Sequence, residues 1–332
     1  MRRAGARRGP RRPVSPAGLL VYRREIPNER TAFLSDDLAA ARFAGVYAAT
    51  TTPFRADGSV DFGQFGKHCV WLIEEGVAGL IPNGSLGEYE ALSDAERAEI
   101  VTTAIDAADG RVPVLPGVSA KSGPEARRWA EQAAEAGAAA VMSLPPTAHQ
   151  PTADEVVAHF TEVARAGLPI IAYNNPFSTR VDLTPPLLAR LAGIEQVQGV
   201  KEFSQDSRRV AQIREQAPRL EVICGCDDTL AEAMLLGATG WIAGYVNAFP
   251  AASVRLFELC AAGEYRAAMD LYRVLLPALR WDADPRFVQA IKLAQEEAGR
   301  YGGPVRLPRL PLAAAEEAQA REVARACARV SP

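Results

Sequence analysis

Val197-Gln198-Gly199-Val200-Lys201-Glu202-Phe203 holds an apolar run, Val197 to Val200, that ends in one lysine and then turns polar. A buried parallel strand looks like this when it delivers a single amine to the rim of a sheet. The chain carries 37 basic residues, and only Lys67, Lys121, Lys201 and Lys292 are lysine. Arginine supplies the remaining positive charge, but a guanidinium cannot be deprotonated to act as a nucleophile. A lysine amine desolvated at a strand end can lose its proton and attack a carbonyl to form a Schiff base. Two plain structural alternatives stand beside that reading: Lys201 snorkels to solvent, or it pairs with Glu202.

Outward from this stretch the chain alternates. Apolar runs of about five residues are followed by helical patterns of about a dozen, which is the pattern of successive βα units on a parallel sheet. The runs predict strands at Val46–Thr51, Gly79–Pro82, Val112–Pro116, Ala138–Ser143, Pro169–Tyr173, Val197–Lys201, Leu220–Cys224 and Gly240–Gly244. Helices are predicted between them, near Phe62–Glu75, Asp94–Ala108, Pro124–Ala136, Ala153–Ala166, Pro185–Leu191, Ser207–Gln216, Thr229–Leu236 and Ala251–Ala261. Ser93-Asp94-Ala95-Glu96 has the form of a capping box, and Gly76, Gly137 and Gly167 stand where helices should stop. Eight units without a dinucleotide-type glycine turn favour an α/β fold closed as a (β/α)8 TIM barrel over an open doubly wound sheet. The barrel is expected over residues 41–262. Residues 263–332 should form a C-terminal helical extension, with helices near Gly263–Trp281, Asp284–Gly299 and Ala313–Arg329 and an extended Leu307–Pro311 linker.

Composition bounds the function. The 332 residues are 48% hydrophobic and 23% charged, as in an ordinary soluble protein with a large core. The formal net charge of −3 conceals an asymmetry: residues 1–30 hold nine arginines and two acidic residues, and the remainder holds 28 basic and 38 acidic, a net of −10. An acidic body argues against nucleic acid as a partner. No apolar run reaches the ~18 residues needed to cross a membrane. Residues 1–40 lack apolar periodicity at their Arg-, Gly- and Pro-rich start and are expected to be a disordered or dispensable extension. The five cysteines, odd in number and in apolar contexts, suit reduced thiols in a cytoplasmic protein. Cys224-Gly225-Cys226 has no second Cys or His pair at ligand spacing, so it reads as small residues at a strand end and not as a metal site.

In a (β/α)8 barrel the chemistry gathers where the strands end. Strand 2 ends in Asn83-Gly84-Ser85-Leu86-Gly87-Glu88, whose glycines let backbone N–H groups turn inward as a nest for a carboxylate, with the Ser85 hydroxyl beside it. Strand 5 ends in Tyr173-Asn174-Asn175-Pro176, strand 6 in Lys201, strand 7 in Gly225-Cys226-Asp227-Asp228 and strand 8 in Gly244-Tyr245-Val246-Asn247. A phenol, a hydroxyl, an anion nest and one amine therefore converge on one mouth. Singly, each has a structural alternative: Tyr173 as core, Ser85 as a turn residue, Asp227 as a helix N-cap. Together they suit Schiff-base chemistry on a 2-oxo acid.

Gly84-Ser85-Leu86-Gly87-Glu88, Tyr173-Asn174, Gly199-Val200-Lys201-Glu202 and Gly225-Cys226-Asp227-Asp228 resemble the dihydrodipicolinate synthase / N-acetylneuraminate lyase family in order and spacing, from about Gly45 to Leu312. The resemblance implies a class I, metal-free lyase without a cofactor, built on a (β/α)8 barrel and assembled as a homotetramer or dimer. It implies that Lys201 forms the Schiff base with pyruvate or another 2-oxo acid. Tyr173 is then the general acid/base and Ser85 the relay hydroxyl, in place of the family's usual threonine. The substrate carboxylate falls to the backbone around Gly84, Ser85, Leu86 and Gly87. Asp227, Asp228, Tyr245 and Asn247 become candidates for the distal part of the substrate.

Three departures bear on the substrate. Leu86 stands where the synthases carry a second threonine, Thr147-Ala148 where they carry two aromatics, and Ser178 where they carry an arginine that grips the second substrate's carboxylate; Arg180 lies two residues on. A serine cannot replace a bidentate guanidinium. These departures point away from a true dihydrodipicolinate synthase. They favour a 2-oxo-acid or sugar-acid aldolase-dehydratase, or a hydroxyproline-pathway imino-acid deaminase, which Lys201-Glu202-Phe203 and Gly240–Gly244 faintly resemble. The alternatives are 4-hydroxy-tetrahydrodipicolinate synthase itself and an altered family member that binds a 2-oxo acid without turning it over. His149 is either a replacement proton carrier or a surface loop residue. A metal-dependent aldolase would need grouped His and carboxylate ligands, and His68 and His159 fall inside outer helices.

Overall fold

The computed structural model describes residues 38 and 40–330. The expectation for residues 1–40 falls, apart from Leu38 and Ala40, outside the described residues. Seven parallel strands run in chain order: β1 (Gly45–Ala49), β2 (Gly79–Ile81), β3 (Val141–Ser143), β4 (Ile170–Asn174), β5 (Val197–Glu202), β6 (Glu221–Cys224) and β7 (Gly240–Ala243). Their order in the sheet is β2-β1-β7-β6-β5-β4-β3. The third predicted strand, Val112–Pro116, is not a regular strand, but the segment still closes the ring. It bridges Leu80 to Val114 on one side and Met142 to Gly117 on the other. Leu80 N donates to Pro113 O at 3.1 Å, Gly117 N to Pro82 O at 2.8 Å, and Met142 N to Pro116 O at 3.0 Å. Pro113 and Pro116 have no N–H, so the segment can accept at these positions but cannot donate, and the ladder breaks into isolated bridges.

Eight of the outer helices follow the predicted pattern, at α1 (Phe62–Glu74), α2 (Asp94–Ala108), α3 (Gly123–Ala136), α4 (Ala153–Ala164), α6 (Pro185–Leu191), α7 (Arg208–Gln216), α8 (Leu230–Leu235) and α9 (Pro250–Ala261). The four-residue α5 (Pro176–Thr179) was not anticipated; the Asn175 side chain caps it by accepting from Ser178 N at 3.0 Å. The capping box at the start of α2 is formed: Glu96 N donates to Ser93 Oγ and Ser93 N to Glu96 Oε2. Gly137 ends α3 at φ 99°, a left-handed conformation that glycine enters without a Cβ penalty. Along α1, Phe65, His68, Cys69 and Leu72 share the buried face at helical spacing.

The C-terminal extension holds α10 (Tyr265–Leu279), α11 (Phe287–Glu297) and α12 (Ala314–Ala328). A 3-10 turn at Arg280–Ala283 joins α10 to α11. This turn lies over the exits of β6 and β7, where Asp227 N reaches Asp282 Oδ2 at 3.4 Å. The linker before α12 is tied to the barrel by Arg306, whose guanidinium donates to both Glu96 oxygens at 2.9 and 2.7 Å and to Ala91 O at 2.8 Å.

Candidate active site

Strand register brings the amine and the phenol together. Tyr173 on β4 pairs with Lys201 on β5, and Asn174 pairs with Glu202. Side chains alternate along a strand, so Tyr173 and Lys201 share the inner face while Asn174 and Glu202 share the other. Lys201 Nζ lies 4.4 Å from the centroid of the Tyr173 ring. Glu202 instead accepts from Asn174 Nδ2 at 3.0 Å and from Ser204 N at 2.6 Å. The Lys201–Glu202 pairing considered from the sequence is therefore absent. Lys201 is 7% exposed, which also removes the snorkelling alternative. Among the described residues its amine has no carboxylate within salt-bridge distance. The other buried lysine, Lys292 on α11, is spent in an ion pair with Glu88 at 2.7 Å. Gly225 makes room for the Lys201 side chain: a Cβ there would stand 2.9 Å from Lys201 Cγ.

Tyr173 is buried, and its hydroxyl accepts from Asn175 Nδ2 at 3.0 Å. Burial pushes the phenol above its usual range, while Lys201 and the Asn175 bond pull it back toward ionisation. The Phe203 ring packs edge-on against Tyr173, with centroids 6.4 Å apart. These groups open into a cavity of about 240 Å³. Gly84, Ser85 and Leu86 also line it, as do Phe177, Ser178 and Phe287. Among the described residues the backbone N–H groups of Ser85 and Leu86 have no acceptor, as a carboxylate nest requires. The loop owes its shape to two left-handed residues, Asn83 (φ 57°) and Glu88 (φ 54°). Asn tolerates this conformation; Glu does so at a cost, offset by the bonds from Lys292 and from Arg306 N at 3.0 Å.

Ring order fixes where these groups face one another. Counting the closing segment as one position, β2 with its nest lies diametrically across the barrel from β5 with Lys201. Tyr173, on β4, flanks that axis on one side. Gly244, after β7, flanks it on the other.

Five expected site residues, Gly87, Asp227, Asp228, Tyr245 and Asn247, do not line the cavity. Asp227 is fully buried and accepts from Trp241 Nε1 at 2.9 Å, Tyr245 N at 2.8 Å and Gly244 N at 3.1 Å, so it neither caps its own helix nor faces substrate. Asn247 donates to Ala49 O at 2.7 Å and Gly244 O at 2.8 Å and accepts from Thr51 N and from His68 Nε2, locking β1 to the β7 exit. Gly87 packs against Thr50 O, and its own carbonyl accepts from Thr52 Oγ1 at 2.7 Å. Their strand-end positions are as expected, but nearby backbone groups, whose location sequence spacing does not reveal, consume their bonds. Thr147, Ala148 and Ser178 line a wider groove that adjoins the cavity, whereas His149 is exposed in its loop, 3.7 Å from Glu155. The C-terminal extension also lines the cavity, with Asp282 from the turn between α10 and α11 and Asp284 beside it, and the sequence reading gave no signal for either.

The family model described as the Dihydrodipicolinate synthetase family matches residues 42–327. The 4-hydroxy-tetrahydrodipicolinate synthase of Methanothrix thermoacetophila is 33% identical over 288 residues, which make up 85% of this chain and 96% of that relative. The protein of the same name from Methylobacterium radiotolerans is 34% identical over 281 residues, covering 83% and 93%. Among solved structures, YagE, a prophage protein belonging to the dihydrodipicolinic acid synthase family from E. coli K12 in complex with pyruvate, aligns at 31% identity with a TM-score of 0.80, over 86% of this chain and 98% of that one. With a barrel of this topology and a match over most of its length, the chain belongs to the dihydrodipicolinate synthetase family and is a class I lyase.

Proposed function

We propose that the enzyme forms a Schiff base between Lys201 and the ketone of pyruvate or another 2-oxo acid. Tyr173 moves the protons, the Ser85 hydroxyl relays them, and the N–H groups of Ser85 and Leu86 hold the carboxylate. The observation that carries this reading is the buried, unpaired Lys201 amine 4.4 Å from the Tyr173 ring, in one cavity with the free N–H pair. The E. coli K12 relative with bound pyruvate supports it. The iminium acts as an electron sink, so the bond beyond the neighbouring carbon can be made or broken. We place the reaction among 2-oxo-acid and sugar-acid aldolase-dehydratases or imino-acid deaminases because Leu86 and Ser178 line the cavity where a synthase needs a hydroxyl and an arginine. The second reading, 4-hydroxy-tetrahydrodipicolinate synthase, is favoured by the names of relatives at 33–34% identity. A cytoplasmic homo-oligomer, tetramer or dimer, completes the proposal; among the described residues no helix is long and apolar enough to cross a membrane.

Borohydride reduction in the presence of pyruvate, followed by peptide mass mapping, tests the chemistry. A stable adduct is expected on Lys201 in the native chain and none in Lys201→Ala. A folded native protein that gives no adduct with pyruvate or a longer 2-oxo acid overturns the proposal. Condensation of pyruvate with aspartate semialdehyde at a synthase-like rate would select the second reading, and an adduct without turnover of any substrate would mark a binding protein.

A further inference from the structure

The 3-10 turn Arg280–Ala283 places a carboxyl group in the cavity that holds Lys201. Asp282 is 9% exposed. It fits only because residue 244 is glycine: a Cβ there would stand 2.5 Å from Asp282 Oδ1. Its neighbour Asp227 is fully buried behind the cavity wall, close enough for its charge to act on Asp282. The hydrogen bonds are divided unequally between them. Asp227 receives Trp241 Nε1, Tyr245 N and Gly244 N. Among the described residues Asp282 receives one long bond, from Asp227 N onto Oδ2 at 3.4 Å, and Oδ1 receives none. Two adjacent carboxylates cannot both ionise without large cost, and the donors stabilise charge on Asp227. The proton therefore resides on Asp282.

The surroundings agree. Burial pushes Asp282 well above the carboxylate range, and Asp227 and Asp228 push it further, while Lys201 pulls it down. From β4, β6 and the β7 exit, Tyr173, Cys224, Cys226 and Tyr245 also face it, all held neutral by burial. On its own segment Arg280 precedes it and Asp284 lines the same cavity, as does Arg309 from the linker before α12.

We propose that Asp282 is the general acid for a leaving hydroxyl, and that the substrate class is the 4-hydroxy-2-oxo acids, which the enzyme dehydrates. This rests on the Schiff-base reading above. Lys201 condenses with the C2 ketone and releases water. A C3 proton leaves to the Tyr173 side, giving an enamine. The enamine pair then moves into the C3–C4 bond as the C4–O bond breaks, and the departing oxygen takes the Asp282 proton and leaves as water. Hydrolysis of the unsaturated iminium frees Lys201 and a 2-oxo-3-enoic acid. The proton taken from C3 replaces the one Asp282 gave, so the net change is loss of one water. Retro-aldol cleavage of the same substrate would require a base at the C4 hydroxyl, and a protonated Asp282 cannot supply one. Tyr173 and Asp282 flank the axis between the nest and Lys201 on opposite sides, as removal of a proton and departure of a hydroxyl from neighbouring carbons require.

The test uses the full chain, 4-hydroxy-2-oxo acids of five and six carbons, and the ultraviolet absorbance of the enone product. Asp282→Asn keeps the shape but cannot give up a proton, and Asp282→Ser is the second variant. Both are expected to give the pyruvate–borohydride adduct on Lys201, which checks folding and the Schiff base separately. Elimination should fall at least ~100-fold in both. The native rate should decline at alkaline pH as Asp282 ionises, and Asp282→Asn should lack that limb. Unchanged elimination with the same alkaline limb in Asp282→Asn overturns the role of Asp282. Release of pyruvate and an aldehyde, or no enone from any of these acids, overturns the assigned reaction. Absence of the adduct in the native protein instead overturns the Schiff-base reading.

Discussion

Lys201 and Lys292 are both buried lysines, and what surrounds each amine sets them apart. Lys292 donates to Glu88 and to Pro304 O at 2.8 Å, and burial lowers its pKa while Glu88 raises it. Its ion pair holds the left-handed Glu88 at the end of the nest loop. Lys292→Met leaves the Glu88 carboxylate buried without a counter-charge. We expect a loss of about 3–5 kcal/mol in urea unfolding and weaker capture of pyruvate, with the adduct still on Lys201. Stability within 1 kcal/mol of native would show that Glu88 escapes to solvent when unpaired. At this scale the sequence revealed the residues whose roles follow from alternation: once Val197–Val200 is a strand, Lys201 must lie at its end, and Tyr173 beside it. It did not reveal Asp282, because a four-residue turn has no periodicity and 81 positions separate it from the lysine. Asp227 was legible as a strand-end residue, but its orientation depends on Trp241 and on two backbone N–H groups that only the folded ring assembles.

Among the elements, the segment between α2 and α3 departs furthest from expectation. Its apolar run Val112–Pro116 has strand-like spacing, and the structure uses it as the ring's closing position, yet two prolines prevent a continuous ladder. The irregularity has a use. It lets Gly117 press against the nest loop, where an added Cβ would stand 2.2 Å from Asn83 O and 3.2 Å from Gly84 N. Backbone atoms cannot move aside as a side-chain end can. Gly117→Ala is therefore expected to cost about 1–3 kcal/mol and to push the Ser85 and Leu86 N–H groups out of line. The measurable result is a reduced melting temperature together with a raised half-saturation concentration of pyruvate for adduct formation. A lower melting temperature with unchanged pyruvate affinity would show that the nest tolerates the shift. The helices were easier to read than this segment because their stops and caps are local: Ser93 with Glu96, and Gly137, act within one turn of chain. Strand 3 depends on partners from β2 and β3, which sequence does not place.

For the whole molecule, the titrating groups that join distant parts of the chain set how stability varies with pH. His68, between α1 and the Asn247 network, and His159 on α4 are both held by burial at a pKa of about 4, below the ordinary 6.5. They are neutral in the fold, and the unfolded chain takes up protons first, so stability falls as pH drops from 6.5 toward 4. Asp282 has the opposite sign: its raised folded value favours the native state at low pH, and this advantage is lost as pH rises from 3.8. Glu96 acts at a third place. Its carboxyl is held at about 2, first by the two bonds from Arg306 and then by Ser93. The Glu96–Arg306 contact fastens the linker before α12 to α2. Its contribution is complete above pH 4.5 and disappears as pH falls through about 2. Glu96→Gln should therefore melt below the native protein at pH 7, with a difference that shrinks steadily between pH 4.5 and 2. Thermal melts of the two proteins across that range measure this difference. If it stays constant down to pH 2, the latch depends on packing of the Arg306 stem over Phe54, whose ring centroid is 4.3 Å from the guanidinium, and not on the carboxylate charge.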